Sequence, residues 1–478
     1  MKSIYIKILG VILLSVACTD RLEITPEQSL SDQVALSNYN NASGVMTGNY
    51  DLLQDLHVFG SQPQFISDYV TDNVTFSGSF TTLQEFNNFQ VTDFNTSLAE
   101  QWRDSYQAIL GCNAVIAAIP NLEDGTDEQK AVLEGEARFV RAAVYYMLAN
   151  LYSQPWQVSN GSNLSVPLYL EPFTGEIVLL PRNTLAEVYT QIETDLETAE
   201  SLLPATVAQG RASAGSAAAL LSRVFLYQER WSDAIDAADR VLNSGNFTLA
   251  PDITFYSTVS SEIIFSIENT AVDAGSDGDA ELGSGSWDGY YTGSTDGGRG
   301  DGEFSADLAA VFASDPGDTR GTFKVAGLNF GGVPAEYTLK YDDGANNSSD
   351  FHMLRVAEVM LNKAEALVEL NGTVDATAVS LINDVSTRAG GAGHTVGDFA
   401  TAAELLDEVR LERRKELCFE GQRREDLLRW GLPLRTFTPA NAAPGSGVGV
   451  TAGDDLAIYP IPQNEIDQNP ELLQNPGF

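Results

Sequence analysis

The stretch Val132-Leu133-Glu134-Gly135-Glu136-Ala137-Arg138-Phe139-Val140-Arg141-Ala142-Ala143-Val144-Tyr145-Tyr146 decides the fold class. Its apolar positions Val132, Phe139, Ala143 and Tyr146 recur at intervals of 7, 4 and 3 residues, the period of a helix with one buried face. The spacing predicts a helix over 132–150. A second stripe, Leu354, Ala357, Leu361, Ala364 and Val368, steps by 3, 4, 3 and 4 and predicts another over 351–370. Residues 98–118, 184–203, 213–229, 232–243, 375–388 and 402–430 read the same way. Thr184 followed by Glu187 before a periodic run is a capping box, and Pro204 closes that helix.

Two of these runs are helix–turn–helix pairs. One turns at Tyr227 to Trp231 and the other at Leu370-Asn371-Gly372. Small residues at the crossings let helices approach closely, and stacked pairs bury a shared core, which is tetratricopeptide (TPR) logic without the full repeat consensus. The expected fold is therefore mainly α, with helical pairs around 98–152, 184–243, 351–388 and 402–430. Between them lie stretches too long for connectors: 57–97, the proline-punctuated 153–182, 271–350 and 436–453. Long loops on a rigid helical scaffold usually carry function.

The chain has 478 residues with 27 Lys+Arg and 66 Asp+Glu, a net charge of −39. That charge argues against nucleic acid, which needs clustered cations to displace its counterions, and against adsorption to anionic lipid. Lys2 and Lys7, the apolar Ile8 to Leu14 and then Ser15-Val16-Ala17-Cys18 read as a signal peptide over 1–17. A cysteine directly after small residues predicts a lipoprotein cut before Cys18, which then carries the lipid and opens a single body over 18–478. Cleavage removes two lysines and no acid, leaving a charge of about −41.

No phosphate-binding, zinc-protease, nucleophile-elbow or dinucleotide motif is present, so no enzyme is expected. Three histidines read as too scattered for a histidine-based metal site, and Cys112 and Cys418 as buried thiols. Asp277-Gly278-Asp279-Ala280-Glu281 alternates carboxylates of the kind Ca²⁺ takes, but lacks EF-hand spacing; a solvated acidic turn is the simpler reading.

Aromatic residues are more informative. Sugars stack their C–H faces on flat rings and hydrogen-bond their hydroxyls to polar neighbours, so a glycan site needs rings on loops. Trp102, Trp231 and Trp430 lie on or beside periodic helices and read as core. Residues 271–302 hold ten glycines and six aspartates with no core period, yet contain Trp287-Asp288-Gly289-Tyr290-Tyr291. Trp287, Tyr290 and Tyr291 are therefore candidate stacking residues, with Asp288, Asp296 and Arg299 as hydrogen-bonding partners. Asp68, Asp72, Asn73, Phe76 and Phe80 are the candidates on the 57–97 loop. The mixed charges from Arg410 to Arg429 read as intrahelical and interhelical pairs.

Glu134 to Ala142 running on to Tyr145-Tyr146 resembles the helix signature of the SusD/RagB family. Leu354-Arg355-Val356-Ala357-Glu358-Val359 with Asn362-Lys363-Ala364-Glu365-Ala366 is similar to a second family segment. Arg413 to Leu417, Phe419-Glu420-Gly421-Gln422-Arg423 and Asp426 to Gly431 are similar to a third, and Tyr459 to Phe478 to the family's ending. The resemblance spans essentially the whole chain. It implies a TPR-like scaffold with an irregular ligand-binding half, on a cell-surface lipoprotein of Bacteroidetes. It also implies capture of oligo- or polysaccharide, or in some members peptide, and delivery to a SusC-like TonB-dependent outer-membrane transporter. The shared motifs are scaffold residues, so the resemblance itself assigns no ligand contact.

Overall fold

The computed structural model describes residues 36–270 and 286–478. The signal peptide, Cys18 and the carboxylates at 277–281 lie outside them. The chain opens with α1 (Tyr39–Asp51), a π-helical turn (Leu56–Gly60), α2 (Gln62–Tyr69), β1 (Val74–Phe76) and α3 (Thr81–Asn87). The scaffold follows as α4 (Thr96–Ala118), α5 (Asp127–Tyr152), α6 (Leu185–Leu202), α7 (Ala214–Tyr227) and α8 (Trp231–Leu242). An irregular part then holds β2 (Ile263–Ile267), α9 (Trp287–Tyr291), β3 (Gly302–Phe304), α10 (Ala306–Ala313), β4 (Lys324–Leu328), β5 (Pro334–Thr338) and β6 (Phe351–Arg355). Helices α11 (Val356–Asn371), α12 (Ala376–Arg388), α13 (Ala402–Leu417) and α14 (Arg423–Arg429) follow, and a short helix, α15 (Gln463–Gln468), comes last.

Consecutive scaffold helices pack in succession: α4 on α5, α5 on α6, α6 on α7, α7 on α8, α8 on α11, and α11 on both α12 and α13. Alanines make the close crossings, with Ala217, Ala218 and Ala219 of α7 and Ala234, Ala237 and Ala238 of α8 all buried. The capping box is formed: the Thr184 side chain accepts from the Glu187 N–H, and the Glu187 carboxylate accepts from the Thr184 N–H at 2.8 Å. From Ala142 to Ala149 every residue of α5 is buried, so this helix is surrounded by others. Its one deep cation is satisfied across helices: Arg141 donates to both oxygens of Asp195 on α6 at 2.7–2.8 Å and to Asn113 on α4 at 2.7 Å. The signature arginine thus staples three helices.

Three two-stranded antiparallel ladders hold the irregular part together: β1 with β3, β2 with β6, and the β4–β5 hairpin. Val74 faces Phe304 in the first, which fastens the N-terminal segment to residues far along the chain.

The structure corrects three expectations. Residues 351–355 are strand β6, not the start of a helix, and all five are buried against β2 and its surroundings; pairing with a distant strand overrides the local helical period. The run 402–430 is two helices, broken where Phe419 and Gly421 adopt φ of +66° and +68°. The supposed loop 57–97 contains α2 and α3. Helix α2 is buried at every position and lacks the polar face that marks an amphipathic helix. Among the described residues, no helix is long and apolar enough to cross a membrane.

Candidate functional site

Most of the candidate residues prove to be the floor of the irregular half, and only its edge is open. Ser286 caps α9 by accepting the Gly289 N–H at 3.0 Å, so a five-residue helix aims its aromatics inward. Trp287 is 0% exposed: its ring stacks on Tyr341 and Phe351 at centroid distances of 4.7 and 4.4 Å, and its Nε1 donates to the Phe59 carbonyl. Tyr290 stacks on Phe65 at 4.2 Å, and Tyr291 meets the same ring edge-on. Rings with both faces covered cannot stack on a sugar, so these three anchor the segment to the body. Asp288 is buried and accepts the N–H groups of Asp343 and Ser349, each at 2.9 Å. Asn73 accepts from Arg414, Asp72 pairs bidentately with Arg423 at 2.8 Å, and buried Phe76 stacks on Tyr69. Local composition did not reveal these roles because, Tyr69 apart, the covering partners lie far away in sequence.

Phe80 and Asp296 are exposed, and Arg299 is mostly buried, its side chain 13% exposed. Phe80 is 47% exposed, and the Arg299 guanidinium lies 4.0 Å from its ring centroid. Arg299 also sits 5.1 Å from the Tyr290 centroid and 2.7 Å from the buried Asp301 carboxylate, so its orientation is fixed from below. A cation against one ring face contributes about 0.5–2 kcal/mol and leaves the other face free. The next residue's carbonyl, Gly300, collects Ser77 Oγ at 2.7 Å, Tyr337 Oη at 3.3 Å and the Phe330 N–H at 3.4 Å. These bonds bring the β4–β5 hairpin beside Phe80, with the Phe330 ring exposed at its tip. Glu303 accepts from Asn329 at 2.9 Å, and Asp296 is exposed. The outcome is one exposed ring held by a fixed arginine, with the hairpin that carries the exposed Phe330 hydrogen-bonded to the next residue, Gly300. Phe330, Glu303 and Asn329 were not anticipated from sequence; an exposed aromatic in the Asn-Phe-Gly-Gly hairpin turn was the available signal.

A cleft of about 60 Å³ opens between α2 and α5, lined by Gln64, Tyr146, Asn150 and Glu425 among others. It has room for a few waters rather than a sugar ring.

Below the surface, Asp68 joins three parts of the molecule. Its Oδ2 accepts the Tyr291 hydroxyl and the Gly421 N–H, both at 3.0 Å, and the residue is fully buried. Burial pushes its carboxyl up to about 7, outweighing those two bonds and Lys340, which favour the anion. A folded pKa above the unfolded value of about 4 means that the stability this group contributes is complete below pH 4. That stability is lost as pH rises towards 7. Asp68→Asn is expected to flatten the pH dependence of the urea midpoint between pH 4.5 and 7.5, a change worth a few kcal/mol in the native chain. An unchanged slope would show that Asp68 does not titrate in that window.

A stacked helical-hairpin scaffold presenting an irregular, aromatic-edged surface is the architecture of a ligand-capturing protein. The chain belongs to the SusD/RagB family. The family described as "SusD family" matches residues 317–478, and the one described as "Starch-binding associating with outer membrane" matches 22–226. SusD-like protein P25 of Formosa agariphila is 23% identical, over 96% of this chain and 95% of its own length. Starch-binding protein SusD of Bacteroides thetaiotaomicron is 32% identical over 27% of this chain and 22% of its own. A solved SusD superfamily protein from Bacteroides vulgatus is 26% identical, with a TM-score of 0.80 over 92% of this chain and 99% of that one.

Proposed function

We propose that this protein binds an oligo- or polysaccharide at the outer membrane, on the cell surface, and delivers it to a SusC-like TonB-dependent transporter without altering it. The observation that carries the reading is the Phe80 ring, open on one side and held by Arg299 on the other. A sugar ring stacks its C–H face on the open side, while Asp296, Glu303 and Arg299 serve its hydroxyls. The net charge of −39 favours a neutral glycan over a uronate or sulfated polymer. Lipid on Cys18 supplies the tether. A second surface fits a protein partner: in the proline-punctuated loop, Leu170, Phe173, Ile177, Val178 and Leu179 are exposed. Apolar side chains gathered on one exposed loop mark interaction sites.

The test is native affinity electrophoresis of residues 19–478 through gels containing neutral and acidic polysaccharides. Retardation by a neutral polymer is expected. Phe80→Ala is expected to weaken it by about 1–3 kcal/mol, the range for losing an aromatic anchor. Retardation identical in Phe80→Ala would remove this surface as the site. Binding of peptides with no retardation by any glycan would replace the ligand class with the peptide alternative.

A further inference from the structure

A second site lies where the π-helical turn meets α4, away from the Phe80 surface. Asp55 caps the turn and its Oδ1 accepts the His57 N–H at 2.8 Å, which fixes both side chains on one side of the backbone. Glu100 and Asp104, one helical turn apart on α4, face them. The two nitrogens of the His57 ring are used differently. Nε2 lies 3.0 Å from Glu100 Oε2, a hydrogen-bond distance. Nδ1 lies 3.4 Å from Asp55 Oδ1 and 3.6 Å from Asp104 Oδ2, too long for good hydrogen bonds. The Asp55, His57 and Asp104 ligand atoms all lie within 4.8 Å of one another.

We propose that Asp55, His57 and Asp104 bind a first-row divalent cation of the zinc class, with Glu100 orienting the imidazole. Ligands at 2.0–2.1 Å from a tetrahedral Zn²⁺ stand about 3.3–3.4 Å apart, close to the two Nδ1 separations. A mixed imidazole and carboxylate set suits Zn²⁺ and its neighbours better than Ca²⁺ or Mg²⁺, which take oxygen. A proton on Nε2, donated to Glu100, leaves the Nδ1 lone pair for the metal; a carboxylate behind a ligating histidine is the usual support. Charge agrees. Three carboxylates face Arg103, which bonds Asp104 at 2.7 Å, so a divalent cation with a neutral imidazole brings the group to zero. An imidazolium alone leaves it negative. Without the cation, the same carboxylates hold His57 protonated: burial pulls its pKa down, but Asp104, Asp55 and Glu100 raise it to about 11. The metal must displace that proton. The His57, Asp55 and Asp104 side chains are 13%, 12% and 6% exposed, so the cluster is largely but not wholly shut off from solvent. Phe59, two residues on, accepts from Trp287, so the ion would pin the scaffold to the irregular half.

The experiment is Zn²⁺ titration and metal analysis of the full chain in detergent, without a polyhistidine tag. One Zn²⁺ per chain is expected. His57→Ala is expected to lose about a hundredfold or more in affinity, and Glu100→Gln about 10–100-fold, the range for a supporting carboxylate. Co²⁺ should show the visible bands of a four-coordinate ion. Glu100 is 43% exposed, so Glu100→Gln keeps the test informative should His57→Ala misfold. No stoichiometric zinc in the wild type, or zinc retained equally by both variants, would overturn the assignment and leave the cluster as an imidazolium ion network.

Discussion

Glu416→Gln is expected to destabilise the protein by about 3–5 kcal/mol, the cost of leaving buried charges uncompensated. Glu416 sits on α13 and accepts from Arg355 and Arg388 through Oε1 and from Arg320 at 2.8 Å through Oε2. The buried side chains of this cluster are balanced in charge: Glu262, Asp318, Glu412, Glu416 and Glu420 face Arg320, Lys340, Arg355, Arg388 and Lys415, with the more exposed Asp315 at the edge beside Lys415. The cluster ties the end of β6, the end of α12, the segment before β2 and the residues after β5 to one helix. Burial alone would raise the Glu416 carboxyl, but Arg388, Arg355, Arg320 and Lys340 hold it well below the usual carboxylate range. A depressed folded pKa means this stabilisation is complete above about pH 4.3 and is lost only as pH falls through the folded value. The loss should therefore appear in full at pH 7, read as a lower urea midpoint. The half-exposed pair Arg240–Glu200 is the control: Glu200→Gln should change stability by no more than about 1 kcal/mol. Equal effects at the two positions would show that the network contributes no more than a surface ion pair.

Gly421→Ala is the other large effect, about 2–5 kcal/mol. Gly421 has φ of +68°, which costs an L-residue about 1–2 kcal/mol. An added Cβ would also stand 2.3 Å from the Gln64 Cβ and 2.6 Å from its Cα. Backbone cannot rotate aside, so α2 must move, and overpacking of this kind costs about 1–3 kcal/mol. Movement of α2 would stretch the Asp68 bond to the Gly421 N–H. Gly372, with φ of +60° and open space around it, isolates the backbone part: Gly372→Ala should cost only about 1–2 kcal/mol. Both are read by denaturant midpoint, and equal losses would mean that the Gln64 contact is absorbed without strain.

The helical half was legible because its information is local. The stripe Ala357, Leu361, Ala364 and Val368 needs only its own period to show a helix, although Leu354 ahead of it falls in strand β6, and Thr184 with Glu187 completes its capping box within one turn. The charged run from Arg410 to Arg429 does form ion pairs, but chiefly with other elements: Arg410 pairs with Glu369, Arg423 with Asp72 and Arg429 with Glu365. The family resemblance rests on these same segments, and the comparisons bear it out.

The irregular half was legible only as a place. Trp287-Asp288-Gly289-Tyr290-Tyr291 has the composition of an exposed binding loop, yet Tyr341, Phe351 and Phe65 cover its rings. Phe80, ranked no higher than Phe76 by its surroundings in sequence, is the one left open. Likewise His57 looked isolated because its partners Glu100 and Asp104 arrive from another element. Period and capping specify helices through neighbours a few residues apart. Which face of an aromatic meets water, and which carboxylates meet a histidine, depends on contacts between segments distant in the chain, so tertiary structure alone decided them.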